Sequence, residues 1–211
     1  MNAALQVVSV LPGPFGALAC AESIRDQLPR TRFVTRWLAP DVTSTNQLIL
    51  DVALLIQNVV EHGGTADMLD DRTGVAVWHP TTRPLPELAS LRRSSVDGGY
   101  AERWATLEHI LHSAIPAAAP TGGQLLLLFA VAAGSGRDGI ARAEALLGAR
   151  RLVLDAAEGP AATVAFGAAG RWLLSRHGWT ATGCGRLPDG TPWWPMYRPP
   201  HPTPTNVGGV G

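Results

Sequence analysis

Residues 125–131 constrain the fold of this chain more than any other segment, because all seven are apolar. A run of this length is much too short to span a bilayer and indicates a strand buried on both faces of a sheet. A glycine-rich segment follows at residues 133–139, and helical spacing resumes at residues 140–147. The order of strand, glycine-rich loop and helix predicts an α/β unit at the centre of the fold.

Shorter periodic segments flank this unit. We interpret residues 1–14 as a strand or a loose arm, and residues 81–99 as a loop with one helical piece. Helices are predicted at residues 16–28, from Thr43–Thr45 to Val59, at 100–115 and at 167–177, and strands at residues 65–69, 75–78, 151–155, 179–182 and 193–197. A hairpin followed by alternating strands and helices predicts an α/β fold of the α+β kind, with a central mixed, twisted sheet flanked by helices. We expect residues 1–198 to form one domain and residues 199–211 a flexible tail rich in proline and glycine.

The composition excludes several classes of function. The chain of 211 residues has 17 basic and 17 acidic side chains, so it lacks the basic excess typical of nucleic-acid binders. Every basic residue other than histidine is an arginine, which excludes Schiff-base and P-loop lysine chemistry. The N-terminus lacks the basic region and cleavage site of a signal peptide. We therefore expect a cytoplasmic protein with a small-molecule substrate and no nucleic-acid or membrane partner; a homodimer is left open.

Only two cysteines, Cys20 and Cys184, are present, and they do not form a CxxC motif. We interpret both as free, buried thiols in a reducing compartment. They cannot assemble a zinc motif, and we expect no metal site.

The glycine-rich segment at residues 133–139 has two interpretations. Glycines allow a close backbone approach to a ligand, and the following helix N-terminus offers unpaired N–H groups and partial positive charge to an anionic phosphate. The same spacing also suits a tight turn that binds nothing. The residues of the segment alone leave both open.

Five segments together resemble the GNAT acyltransferase superfamily, and specifically a group of actinobacterial-type members. They are FVTRWLAPD from Phe33, GVAVWHP from Gly74, the strand, loop and helix at residues 125–147, GRWLLSRHGW from Gly170, and LPDG from Leu187 continuing to PMYR at Pro195. They occur in the family's order and spacing over nearly the whole chain. The resemblance implies a GNAT fold that uses acetyl-CoA.

The resemblance also implies a cofactor-binding set and some departures from it. The positions that match the family's acetyl-CoA site are Val131, Ala133, Gly134, Gly136, Arg137, Gly139, Ala141 and Arg142. Gly136 stands where the family has Gln or Arg, Asp138 brings a negative charge close to a pyrophosphate, and Gly170 replaces an Asn. Leu174 occupies the position of the Tyr that often protonates the leaving thiolate, and a leucine cannot donate a proton.

The candidate catalytic residues are Asp155, Tyr100 and Tyr197. Asp155 aligns with a frequent family Glu, so it is either a general base or a solvated carboxylate at a strand end. Tyr100 and Tyr197 are the only phenols and could replace the missing acid.

The chain has seven tryptophans, most of which we interpret as core. The segments that border the acceptor site in the resembling family carry Trp37, Trp104, Trp193 and Trp194, and these could instead line a large apolar substrate pocket. Such a pocket suits a bulky, weakly charged molecule better than a polyamine or a histone tail.

Three hypotheses for function follow. The first is an acyltransferase that moves an acetyl or other acyl group from CoA to a small, fairly hydrophobic acceptor. The second is a GNAT-fold enzyme of natural-product (secondary) metabolism that has lost this transfer and catalyses a cyclisation, dehydration or addition. The third is a non-catalytic protein that binds a ligand in the same cavity.

Overall fold

The computed structural model describes residues 5–10, 13–25, 27–28, 31, 33–85, 98–115, 122–132 and 136–200. The helices are α1 (Pro14–Ile24), a π-helix (Val34–Leu38), α2 (Val42–Glu61), α3 (Gly98–Ala114), α4 (Gly136–Ala156) and α5 (Gly167–Arg176). The strands are β1 (Val7–Ser9), β2 (Thr65–Leu69), β3 (Gly74–Pro80), β4 (Gln124–Val131), β5 (Ala161–Phe166), β6 (Thr180–Ala181), β7 (Gly185–Arg186) and β8 (Pro192–Arg198). In these ranges no helix has both the length and the apolar character needed to cross a bilayer.

Two of the sequence predictions fall largely outside these ranges. They are the helical piece of the 81–99 loop, of which residues 86–97 are not described, and the tail, of which residues 201–211 are not described.

One mixed sheet joins all eight strands in the order β1-β2-β3-β4-β5-β8-β6, with β7 also paired to β8. The pair β4–β5 is parallel, and each of the other pairs is antiparallel. A parallel pair needs a crossover connection, and α4 supplies it. The mixed sheet flanked by helices that the sequence predicts is therefore confirmed.

Helices cover both faces of the sheet, and successive apolar residues of its central strands point to opposite faces. On β3, Val75 and Val77 face the core formed with α1, α2 and α3, whereas Ala76 and Trp78 face the core formed with α4 and α5. Strand β4 is only partly the doubly buried strand we predicted. Leu125 and Leu126 are buried, but the rest of the strand is half-buried because it borders a cavity.

Helix α2 begins one residue after Asp41, whose carboxylate accepts a hydrogen bond from the Ser44 backbone N–H at 2.8 Å. The cap is thus this carboxylate rather than the predicted hydroxyls of Thr43–Thr45. At the other end, a Cβ on Gly64 would lie 2.5 Å from the carbonyl oxygen of Trp78. Only glycine therefore allows the chain to leave α2 and enter β2 against β3.

The predicted strand at residues 151–155 is wrong, and the helix at 140–147 is too short. Helix α4 runs without interruption over 21 residues, and residues 151–155 form its last turns. Leu152 and Val153 mimic a strand in sequence but are 66% and 52% exposed. The strand that pairs with β4 is β5, an alanine-rich segment that the sequence analysis missed.

A buried ion pair fastens α4 to the sheet. The guanidinium of Arg150 donates from Nη2 at 2.7 Å and from Nε at 2.9 Å to Oδ2 of Asp67 on β2. Both side chains are less than a tenth exposed, and the same guanidinium lies 5.3 Å from the ring centre of Trp78. A charge buried in this way needs its partner, because an unpaired ion in the interior costs several kcal/mol.

We therefore expect Arg150→Gln to lower the free energy of unfolding by about 3–5 kcal/mol, because it leaves the Asp67 carboxylate buried without its counter-charge. The matched control is Arg176→Gln, which breaks the exposed 3.1 Å pair between α5 and Glu144 and should cost less than about 1 kcal/mol. Urea unfolding followed by circular dichroism measures both. Equal losses in the two variants would contradict this account of the pair.

The two thiols differ in environment, contrary to the prediction that both are buried. Cys20 on α1 is fully buried, and burial raises its thiol pKa to about 11, whereas Cys184 is exposed. A thiol must ionise to react, so the folded protein should present one reactive cysteine.

A thiol-specific chromogenic disulfide should therefore label one cysteine per native chain at pH 8 and a second only in denaturant. Cys184→Ser should abolish the native reaction, and Cys20→Ser should leave it unchanged. Rapid labelling of both thiols in the native protein would show that α1 opens readily.

Candidate functional site

The site begins where β4 and β5 separate. Their parallel pairing covers three positions, from Gln124 opposite Ala161 to Leu126 opposite Thr163, and then stops although both strands continue. At the last position the Thr163 hydroxyl donates a 2.7 Å hydrogen bond to the Leu126 carbonyl. The bond gives this carbonyl a side-chain donor at the last paired position, immediately before the strands diverge.

A cavity of about 230 Å³ lies in the gap between the diverging strands. Its walls come from both strands, from the π-helix segment, from α2 and α3 on one face of the sheet and from α5 on the other. The lining includes Phe33, Leu38, Leu107, Thr163, Phe166 and Leu174. The walls extend to Ala130 and Phe166, near the carboxyl ends of the two strands.

The N-terminal part of α4 lies close to the carboxyl end of β4, since Arg142 of the helix reaches the Ala132 carbonyl. The helix already begins at Gly136, so Gly136–Gly139 form its first turn rather than the loop we predicted. Arg137 and Asp138 on this turn are exposed. The first turn of a helix presents backbone N–H groups that lack helical partners and carries partial positive charge, so it can hold an anion.

The remaining predicted cofactor residues that the structure describes are Val131, Ala141 and Arg142. Arg142 points back to β4, donating to the Ala132 carbonyl at 3.4 Å, and its Nε lies 3.8 Å from Asp71 in the β2–β3 turn. Val131 is the last residue of β4, and Ala141 follows on α4. Ala133 and Gly134 lie outside the described residues.

Of the four tryptophans predicted to line a substrate pocket, Trp104 on α3 is in the cavity wall. Trp37 is buried beside Phe33, with their ring centres 5.7 Å apart. Trp193 packs against Gly185, and Trp194 lies under the guanidinium of Arg171. Both tryptophans are on β8, which pairs with β5. These three are adjacent to the lining but do not belong to its described part.

The three predicted catalytic residues are not brought together. The Tyr100 hydroxyl donates to Asp51 at 2.7 Å between α3 and α2, and Tyr197 lies opposite Ala162, before the strands separate. Asp155 is paired with Arg198 at the C-terminal end of α4. At about 1.5 Å per residue, it lies roughly 28 Å along the helix from Gly136. The roles of these residues remain predictions.

The wall contains two positions that the family resemblance singled out. Gly170 and Leu174 on α5 both line the cavity, and Leu174 is only 6% exposed. The side chain at the position of the usual proton donor therefore borders the cavity and is aliphatic.

Sequence reasoning missed the aromatic pair at the centre of the wall. Phe33 stacks on Phe166 with ring centres 4.4 Å apart and an angle of 14° between the planes. A second feature is the indole N–H of Trp104, which is buried without a hydrogen-bond partner among the described residues. Phe33 stood in a quoted motif, but Phe166 ends the strand that the prediction missed, so no sequence signal joined them.

Solved structures of acetyltransferases share this fold. The Corynebacterium glutamicum protein named histone acetyltransferase HPA2 and related acetyltransferase aligns with 96% of this chain and 99% of its own, at a TM-score of 0.64 and 18% identity. Arylalkylamine N-acetyltransferase 2 from Aedes aegypti aligns over 93% and 100%, at a TM-score of 0.58 and 10% identity. No protein-family model and no curated protein sequence matches the chain. The similarity shows the GNAT fold that the resemblance implied.

The Thr163 hydrogen bond can be tested by two substitutions. Thr163→Val removes the hydroxyl and its bond to the Leu126 carbonyl, so we expect a loss of about 0.5–1.5 kcal/mol in the free energy of unfolding. Thr163→Ser keeps the hydroxyl and should lose about 0.8 kcal/mol or less through the missing methyl group. Urea unfolding gives both values. A valine variant as stable as the wild type would mean that the bond does not support the strand separation.

Proposed function

We propose that this protein, which has the GNAT fold, transfers an acyl group from acyl-CoA to a small, largely hydrophobic acceptor. The observation that carries the proposal is the gap between β4 and β5, which holds an apolar cavity, with the N-terminal part of α4 close to the carboxyl end of β4. A thioester and an anionic handle thus have adjacent places in one groove. The fold similarity to acetyltransferases supports the same chemistry.

The residues present fit an acyl-CoA molecule. The first turn of α4, with Gly136 and Gly139, would hold the pyrophosphate on backbone N–H groups, assisted by the exposed guanidinium of Arg137. Past Leu126 and Thr163 the two strands no longer pair with each other, so backbone groups that point into the gap are free of ladder partners. Amide groups of the ligand can pair with them. When bound, acyl-CoA supplies an activated acyl group.

The contribution of this chain to the reaction comes mainly from backbone and burial. A backbone N–H near the end of β4 would polarise the thioester carbonyl, and a main-chain donor persists whatever side chain the residue carries. The apolar walls exclude water, which strengthens such a donor and protects the thioester from hydrolysis. Leu174 contributes apolar surface and no proton, so acyl transfer here cannot depend on a donor at that position.

The cavity also supports the choice of acceptor. Its size of about 230 Å³ suits a small molecule, a little below the usual range of ligand pockets of about 300–1,000 Å³. The walls are mostly Leu, Val, Phe and Ala side chains, with Trp104 among them. A hydrophobic acceptor gains free energy by entering it, whereas a polycation does not.

A second candidate is an enzyme with this fold that has lost CoA-dependent transfer and catalyses a cyclisation, dehydration or addition on a natural product in the cavity. The observation that favours it is Leu174, an aliphatic residue in the cavity wall at the position of the usual acid. Binding of CoA separates the two candidates, because the second needs no pyrophosphate site.

Acetyl-CoA at about one hundred times its Kd should stabilise the protein by about 2.7 kcal/mol, which raises the Tm by roughly 5–10 °C for a chain of this length. Differential scanning fluorimetry with acetyl-CoA, and with free CoA alongside, measures the shift. Arg137→Glu should raise the acetyl-CoA concentration needed for the same Tm shift at least about tenfold, because it reverses a charge beside the pyrophosphate. The helix itself should tolerate the change, since an acidic side chain is favourable in a first turn.

The matched control for this charge reversal is Arg151→Glu on the exposed face near the other end of α4, which should leave the ligand response unchanged. A wild-type Tm that does not move at millimolar acetyl-CoA would reject the acyltransferase and leave the second candidate in its place.

A further inference from the structure

The described wall of the cavity has a restricted chemistry. It consists of aliphatic and aromatic side chains, small residues and two threonines, Thr31 and Thr163. The Thr163 hydroxyl already donates to the Leu126 carbonyl. Four aromatic rings border the space, those of Phe33, Trp104, Phe129 and Phe166.

The nearby carboxylate between α2 and α3 is already engaged. Asp51 is 2% exposed, and its Oδ2 accepts from the Tyr100 hydroxyl at 2.7 Å while its Oδ1 accepts from Gln47 Nε2 at 2.8 Å. Neither Asp51 nor Tyr100 belongs to the described lining. Their bond stabilises the packing of α3 on α2 rather than offering a counter-charge to a molecule in the cavity.

This environment discriminates between classes of nucleophile. Moving an ammonium ion from water into an apolar site costs several kcal/mol, more than the roughly 0.5–2 kcal/mol that a cation–π contact with Trp104 could return. An alkylamine with the lysine pKa of about 10.4 is neutral in only about one molecule in a thousand at pH 7.4. A hydroxyl needs a base to become a good nucleophile. An aromatic amine is neutral at this pH, because its lone pair is delocalised into the ring, and it can attack without prior deprotonation.

We infer that the acceptor is an uncharged aromatic amine, bound against the stacked rings of Phe33 and Phe166 and the indole of Trp104; this rests on the acyl transfer proposed above. The flat ring of such a molecule matches the aromatic wall, where ring contacts contribute about 0.5–1.5 kcal/mol beyond burial alone.

The reaction balances without a side-chain acid or base. The amine nitrogen attacks the thioester carbon, the C–N bond forms and the C–S bond breaks, with the bonding electron pair leaving on sulfur. One N–H proton is then lost from nitrogen and ends on that sulfur through solvent at the open end of the gap. The products are an N-aryl amide and the free thiol of CoA.

The test compares two isomers, p-toluidine and benzylamine, which have the same formula and nearly the same shape. The first is neutral at pH 7 and the second is protonated. With saturating acetyl-CoA, measured by release of the CoA thiol, kcat/KM at pH 7 should be at least about tenfold higher for p-toluidine. Between pH 7 and 8.5, kcat/KM for benzylamine should rise about tenfold per pH unit with its neutral fraction, whereas that for p-toluidine should stay flat.

Binding provides a readout independent of turnover. Without CoA, p-toluidine should quench tryptophan fluorescence and raise the Tm at concentrations where benzylamine at pH 7 does neither. A matched pair of variants adds charge to the wall. Leu107→Asp should increase kcat/KM for benzylamine relative to p-toluidine at least about tenfold, and Leu107→Asn should not, because only the aspartate supplies a counter-charge. If neither variant folds, the wild-type comparison of the isomers decides.

The outcomes separate this inference from the proposed function. Preference for benzylamine with a flat pH profile overturns the inference and leaves acyl transfer standing. Stabilisation by acetyl-CoA with no binding or turnover of p-toluidine also overturns the inference, since the acceptor then belongs to another class. A protein that acetyl-CoA does not stabilise fails the proposed function itself.

Discussion

The hydrogen bond from the Thr163 hydroxyl to the Leu126 carbonyl marks the point on which the rest of the site depends. Before it, β4 and β5 form an ordinary parallel ladder; after it, they enclose a cavity. Ending a ladder inside a sheet would normally leave polar backbone groups buried and unpaired, which is costly. At the last paired position a side-chain donor on one strand adds a bond to the carbonyl of the other, and the sheet opens beyond it. The parallel direction of the pair then sets both carboxyl ends, and the N-termini of α4 and α5, around the same opening.

An ion pair far from the opening between β4 and β5 holds helix α4 on the sheet. Helix α4 packs on paired strands of the sheet and begins close to the carboxyl end of β4. The charge pair of Arg150 and Asp67 holds the helix fourteen residues further along, about 21 Å at 1.5 Å per residue, against β2. A buried ion pair is geometrically demanding, since a small displacement leaves two charges desolvated. It therefore determines where α4 sits, while the core around Leu146 supplies most of the burial. The candidate anion site and the stabilising contact occupy different parts of one helix.

The sequence predicted helices and strands well where the hydrophobic pattern of a segment matches the burial of its residues. Residues 65–69 form the predicted strand, and they pair with β3 in the predicted hairpin. The failure came at the C-terminal part of α4, where Leu152, Val153 and Leu154 are adjacent in sequence but only Leu154 is buried. An apolar run normally indicates burial, so exposed residues of this kind mislead a pattern-based assignment. The true strand, β5, is half alanine, a residue depleted in strands, and its identity depends on pairing with β4 and β8 rather than on propensity.

The same division explains how much of the site was predictable. Its backbone part follows from the order of strand, glycine-rich segment and helix, because helix N-termini bind anions whatever side chains they carry. Its side-chain part does not. Phe33 and Phe166 are far apart in the chain and meet only because the fold brings the start of the π-helix segment to the end of β5, a contact that no local pattern encodes. The thioester activation proposed for this protein uses main-chain groups, which leaves the cavity wall free to vary. The aliphatic residue at position 174 is then compatible with the proposed acyl transfer to a nucleophile that enters the cavity already uncharged, and on that proposal the wall selects such nucleophiles.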